Sequence, residues 1–218
     1  MARTLVVSAF EPEVEPLRRL VRGARGVELG PVGIGAIDAA VGAAQAIAAA
    51  RPERVIFVGT AGIYGQGRPA RAAIRTAVVA SELFCASSAV LRGDGYLPGP
   101  MVLRVETSRR LRPLLAACAS DGNGHGREPL PVASPLAITR SAALGRRIAA
   151  ATGAAVENLE TFAVARAAEA AGVEFGAVLG IANRVGPTGH EEWLRNQREA
   201  SRVACELVAR FLDPASGD

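Results

Sequence analysis

A chain of 218 residues that is 50% hydrophobic, 21% charged and only 4% aromatic has the composition of a soluble globular protein, with length for one α/β domain around a substantial core; residues 1–218 are read as that single domain, with 212–218 as a disordered tail. The net charge of +4 rests on arginine alone, since the chain has no lysine, and the arginines are scattered among 21 acidic residues, so no basic stripe marks a nucleic-acid partner. Three distant cysteines without CxxC spacing and two histidines exclude a disulfide framework and a metal site, and the absence of a long apolar run makes the expected location cytoplasmic, away from membranes.

In chain order, "TLVVSAF" (4–10) reads as a buried strand and "PEVEPLRRLV" (12–21) as a short helix. "AIDAAVGAAQAIAAA" (36–50) is a helix and "RVIFVG" (54–59) a strand. "TAVVASELF" (76–84) and "MVLRV" (101–105) are strands around a Gly/Pro loop. "TSRRLRPLLAACAS" (107–120) is a helix with Thr107 or Ser108 as its N-cap, running into the Gly-rich loop "DGNGHGREP" with His125. "LPVAS" (130–134) is a strand. A helix over 140–151 has Thr139 as N-cap and Gly153 as terminator. "AAVEN" (154–158) is a short strand before the helix 160–171, "FGAVLGIAN" (175–183) the last strand, and 190–212 a closing helix whose buried face carries Trp193, Leu194, Val203, Leu207, Val208 and Phe211. The alternation predicts an α/β fold, three-layer αβα about a central mixed, twisted β-sheet.

Ligands of open α/β sheets sit beyond the carboxyl ends of strands. The polar residues at such places are Glu13 and Glu160, the hydroxyl of Thr60, and the amide of Asn183. They form no Ser-His-Asp triad, and without lysine there is no P-loop. "GPVGIGAID" (30–38) lacks the third glycine of a dinucleotide fingerprint. No cofactor is expected.

Taken together and in order, "VSAFEPEVEPL", "GPVGIGAIDAAVGA", "FVGTAGIYG", "VENLE" and "GIANRVG" followed by Trp193 resemble the purine nucleoside phosphorylase and nucleosidase superfamily and, within it, the futalosine hydrolases, from about residue 4 to residue 211. The resemblance implies a nucleosidase that hydrolyses the N-glycosidic bond of futalosine, releasing hypoxanthine on a route to menaquinone, and a homo-oligomer. It leaves open a methylthioadenosine, S-adenosylhomocysteine or aminodeoxyfutalosine nucleosidase, a purine nucleoside phosphorylase, and a non-catalytic nucleoside-binding module.

Such a reaction needs a positioned nucleophile at the sugar and hydrogen-bond donors at the departing base. By resemblance, Glu13 orients and deprotonates the attacking water, although Glu11, Glu13 and Glu15 are all acids that a helix N-terminus favours. Glu160 matches the glutamate that holds the ribose hydroxyls, with Glu157 as the competing carboxylate and Leu159 beneath the sugar. Thr60 is either a wall of the sugar and water pocket or a turn residue bonding its own backbone. Ile138 and Thr139 flank the base, and Phe162 and Trp193 are candidate pocket walls. Arg184, or an arginine of "QGRPARAAIR" (66–75), is the candidate for a carboxylate on the 5′ side of the substrate. Asn183 stands where adenine-specific relatives carry an aspartate. An amide donates hydrogen bonds but releases no proton at neutral pH, which suits the two adjacent acceptors, N7 and O6, of a 6-oxopurine.

Overall fold

The computed structural model describes residues 3–65, 72–119 and 128–213. Its eight strands are β1 (Thr4–Ser8), β2 (Val27–Pro31), β3 (Arg54–Ile63), β4 (Ala77–Ala86), β5 (Arg104–Glu106), β6 (Leu130–Pro135), β7 (Val156–Glu157) and β8 (Glu174–Arg184). The helices are α1 (Glu11–Leu20), α2 (Ala36–Ala50), α3 (Ser88–Arg92), α4 (Leu111–Ala117), α5 (Ala142–Thr152), α6 (Thr161–Ala170) and α7 (Gly189–Leu212).

The sheet is mixed and runs β2-β1-β3-β7-β6-β4-β5, with β8 paired to both β3 and β4. Because β3 pairs with β7 at one end and with β8 along its length, the strands β3, β7, β6, β4 and β8 close a circuit. The closure gathers the carboxyl ends of β3 and β8 against β7.

Alternate residues of the central strands feed two cores. Val55, Phe57, Leu179 and Ile181 pack with Ala39 and Ala43 of α2 and Val164 and Ala168 of α6. Ile56, Val58 and Val178 pack with Val14 and Leu17 of α1, Leu111 and Leu115 of α4, and Leu207 and Val208 of α7. These are the two helical layers of the αβα sandwich. Strands covered on both faces read as unbroken apolar runs, which is why β3 and β8 were visible in the sequence.

Several local expectations shift. Strand β2 went unrecognised because it is a half-exposed edge with two apolar residues, Val27 and Leu29, set between Glu28 and Gly30. Ser141, not Thr139, caps α5 by accepting the Leu144 N–H. Ser108 caps the first turn of α4, accepting from Leu111 N, while Thr107 bonds back to β4. Leu194 lies outside the buried face of α7, at 58% exposure. Leu212 is helical, so the expected tail begins later, and residues 214–218 lie outside the described residues, as do His125, Arg68 and Arg71.

Helix α7 crosses β8 at backbone contact distance. A Cβ on Gly180 would meet the Ala200 carbonyl oxygen at 1.9 Å, so only glycine admits the helix here. That approach brings the first turns of α7 to the carboxyl end of β3. Among the described residues, no helix is long and apolar enough to cross a membrane.

Candidate active site

Glycine-rich "GTAG" reads as a turn, yet residues 59–62 continue β3, held by parallel pairing to β8 and antiparallel pairing to β7. Thr60 is therefore a buried strand residue with its side chain on the α1/α7 face. Residue Phe10 provides the extended N-cap of α1, and one turn into that helix Glu13 points back at Thr60. Glu13 Oε1 accepts both the Thr60 backbone N–H and its hydroxyl, each at 2.8 Å. Glu13 Oε2 is buried and has no hydrogen-bond partner. Burial pushes this carboxyl up from an ordinary 4.5 to about 7, against the stabilising bonds from Thr60 and a smaller contribution from the Ala9 backbone N–H, and with added repulsion from Glu160.

Helix α7 secures the same corner from its own side. The Cys205 thiol donates to the Glu13 carbonyl at 3.2 Å, and burial raises that thiol to about 12, far from reactive. Trp193 donates its indole N–H to the Thr60 hydroxyl at 3.0 Å. Its ring stacks on His190, with centroids 6.0 Å apart, and lies 6.4 Å from the Phe10 ring.

The opposite wall comes from "VENLE". Asn158 is the organising residue, which sequence reasoning missed although an Asn before a helix is an ordinary capping signal. Its Oδ1 accepts from the N–H groups of Glu160 and Thr161 and from the Thr161 hydroxyl, while its Nδ2 donates to the Thr60 carbonyl at 3.0 Å. One amide thus starts α6 and ties it to β3. Glu160 Oε1 accepts the Gly35 N–H at 2.9 Å, at the N-terminal end of α2, where Gly35 has φ of 83°. Burial raises the Glu160 carboxyl despite that bond. Glu157, the competitor, has both oxygens engaged, by Thr139 N and by the Tyr64 hydroxyl. It is a structural acceptor, whereas Glu160 retains an oxygen for a ligand.

Asn183 reaches this face through a bulge. Ala61 pairs with Ile181, but Gly62 pairs with Asn183, so Ala182 is an extra residue in β8. Side chains alternate along a strand, and had β8 continued in unbroken register, with Ala182 opposite Gly62, Asn183 would pair with Ile63 and face the other core. The bulge turns it to the side of Thr60 and Gly62. Asn196 on α7 pins the bulge by donating to the Ala182 carbonyl at 3.0 Å. The Asn183 amide itself donates to the Arg184 carbonyl at 2.9 Å, leaving one N–H and the carbonyl oxygen for a ligand.

These groups enclose a cavity of about 320 Å³ lined by Glu13, Thr60, Glu160, Leu159, Ile138, Asn183 and Trp193 with Phe10, Ile34 and His190. Three of the expected site residues lie outside this lining. Arg184 is exposed, outside the lining, and engaged with Glu192 through its N–H. Phe162 packs into the α2/α6 core, and Thr139 is buried behind Glu157. The described arginine of 66–75, Arg75, bonds Asn196. A larger recess of about 790 Å³, by Tyr64, Arg112 and Arg146, includes neither Glu13 nor Asn183 and borders segments outside the described residues.

Among the described residues no cluster of His, Cys, Asp and Glu could hold a metal ion. The charged groups at the cavity are carboxylates, and no arginine is among its described lining residues. Chemically, the site offers an unpartnered base, a second carboxylate about the pocket wall, and an amide at the far end.

The sequence model of the phosphorylase superfamily matches residues 11–213. A search of curated protein sequences found no significant match. Among solved structures, the chain is similar to a 5′-methylthioadenosine/S-adenosylhomocysteine nucleosidase from Helicobacter pylori, with a TM-score of 0.86, 16% identity and coverage of 98% of this chain and 99% of that one. A futalosine hydrolase from Helicobacter pylori gives 0.84 at 17% identity, covering 97% of each chain. A 5′-methylthioadenosine/S-adenosylhomocysteine nucleosidase from Neisseria meningitidis, solved with methylthio-immucillin-A, gives 0.84 at 18% identity over 98% of this chain and 100% of that one.

Proposed function

The chain belongs to the phosphorylase superfamily, and from that premise we propose that it hydrolyses the N-glycosidic bond of a purine nucleoside. The observation that carries the reading is Glu13 Oε2, a buried carboxylate oxygen without a partner at a cavity whose described lining holds no arginine. Such a site repels phosphate and suits water. Near neutral pH the group is poised to take a proton.

In this reading Oε2 removes a proton from a water that attacks C1′ of the ribose. The C1′–N9 bond breaks, its electron pair goes to the base, and the oxygen of water becomes the anomeric hydroxyl. Glu160 accepts hydrogen bonds from the ribose hydroxyls, and its negative charge favours the positive charge that develops on the sugar. Leu159, Ile138 and Trp193 supply apolar walls, and Asn183 donates to N7 of the departing base.

Our reading of the substrate is futalosine, with hypoxanthine as the released base in a menaquinone route, supported by a neutral amide where a proton-donating acid would serve adenine. One observation favours a second reading, a 6-aminopurine nucleoside. The Arg184 carbonyl holds one N–H of Asn183, so the amide presents one donor and one acceptor, the complement of N7 and a 6-amino group. The homo-oligomer reading is supported by Ile34 and Ile138, which line the cavity yet are 64% and 60% exposed; light scattering tests it. The protein is read as cytoplasmic.

The deciding experiment incubates the protein with futalosine, aminodeoxyfutalosine, methylthioadenosine and S-adenosylhomocysteine, with and without phosphate, and identifies the free base chromatographically. Phosphate-independent release of hypoxanthine from futalosine is the expected result. Release that requires phosphate overturns the hydrolase reading, and release of adenine alone overturns the futalosine reading.

A further inference from the structure

Thr60 carries one hydroxyl proton and two lone pairs, and an indole N–H can only donate. The bond from Trp193 Nε1 at 3.0 Å therefore occupies a lone pair of Thr60 Oγ1. The hydroxyl proton needs an acceptor, and the one at hand is Glu13 Oε1 at 2.8 Å. If the carboxyl proton instead sat on Oε1 and pointed at Thr60, the hydroxyl proton would be left with no acceptor among the described residues. The chain thus has a single direction that leaves no donor unmatched, from Trp193 through Thr60 to Glu13.

We propose that Trp193 is a positioning residue: by donating to the Thr60 hydroxyl it commits that hydroxyl's proton to Glu13 Oε1 and makes Oε2 the oxygen that takes up and releases the proton. Oε1 already receives the Thr60 backbone N–H at 2.8 Å, so two donors fix it as an acceptor. Oε2, buried and without a partner, is the remaining position. The tryptophan is itself held, by the rings of His190 and Phe10, and by the close passage of α7 over Gly180. A wall of the cavity thereby sets the protonation geometry of a group to which it makes no hydrogen bond.

The claim concerns a titration, so the other ionisable groups around Glu13 matter. Glu160 faces it from the start of α6 and Glu157 from β7; His190 and Cys205 stand on α7. None of these is the acceptor of the indole N–H, which goes to Thr60. Donation to a carboxylate favours its charged form, and a hydroxyl whose oxygen accepts a hydrogen bond is a stronger donor. Loss of the indole N–H thus weakens the support of the ionised state.

The inference deepens the hydrolase reading for a catalytic role, but its test needs no substrate. The carboxyl carbons of 13C-labelled glutamate report the Glu13 titration in the ligand-free protein, with Glu13→Gln identifying the signal. Trp193→Phe keeps the ring and removes the donor. It is expected to raise the Glu13 midpoint by about half a pH unit or more, and Thr60→Val to raise it as well. In the Thr60→Val background, Trp193→Phe is expected to add nothing, because the relay is already cut. Additive shifts from the two substitutions, or no shift in Trp193→Phe, overturn the proposal. If Trp193→Phe does not fold, the wild type still decides. The chain has one tryptophan, so its single indole N–H resonance must follow the Glu13 midpoint in the wild type and lose that step in Thr60→Val; a resonance equally responsive in both refutes the relay. Absence of turnover on every nucleoside would refute the reaction while leaving these midpoints readable.

Discussion

Replacing Glu13 by glutamine leaves an acceptor for both Thr60 donors, removes the ability to ionise, and puts an amide NH₂, whose cost does not vary with pH, in the place of Oε2. In the folded protein burial holds the carboxyl up to about 7 from an ordinary 4.5. Between those values the folded state keeps a proton that the unfolded chain has released. The folded state therefore binds more protons, and stability falls as pH rises through this window. The span corresponds to about 3 kcal/mol, a contribution that is whole below pH 4.5 and is lost as pH rises through 7. Glu13→Gln has no such loss. Urea unfolding of both proteins at pH 5, 6, 7 and 8 should show the variant gaining on the wild type by about 2 to 3 kcal/mol across the series. Other titrations are common to both and cancel in the difference. The same substitution should lower nucleoside hydrolysis by about 10²- to 10⁴-fold, a flatter stability profile with loss of function. Parallel stability curves from pH 5 to 8 would refute the buried, unsupported Oε2 on which the argument rests.

Asn183→Asp places a carboxylate against the Arg184 carbonyl that now accepts its N–H; activity on a hypoxanthine nucleoside should fall at least about tenfold more than on an adenine nucleoside, as steady-state kinetics on the pair will show. Gly180→Ala drives a methyl group into the Ala200 carbonyl, 1.9 Å from the Cβ position; a loss of about 3 kcal/mol or more in chemical denaturation is expected, with a changed indole fluorescence as Trp193 moves. Asn158→Ala removes the cap of α6 and the tie to Thr60, with about 1–2 kcal/mol lost in thermal or urea unfolding and a weaker kcat/KM, since Glu160 and Thr60 are both oriented by this amide.

The elements that sequence reading recovers best are those whose pattern is local. Strands β3 and β8 are apolar runs, α2 is bounded by Gly35 and Arg51, and Gly153 ends α5 in a left-handed conformation. What escapes is decided by partners distant in the chain. Thr60 lies in a glycine-rich stretch with turn chemistry, and only pairing with β7 and β8 keeps it in a strand. Glu13 and Glu15 are equivalent as helix-start acids, and the choice is made by Thr60, forty-seven residues away. Glu157 and Glu160 are separated by the hydroxyl of Tyr64 and the N–H of Gly35, contacts that no local spacing encodes. Arg184 is next to Asn183 in the chain, but adjacent residues of a strand face opposite ways, and its backbone and side chain turn to Glu192.

The extra residue at Ala182 works as a phase change within β8. Upstream of it, Leu179 and Ile181 answer to the packing of the α2/α6 core. Downstream, Asn183 answers to the cavity, while Asn196 closes the gap from α7. The two obligations are thus uncoupled at a single peptide unit. A change of side chain at 183 alters the lining of the cavity without disturbing the register that holds the strand, so under the proposed role of Asn183 base preference can drift by substitution while the core stays as it is.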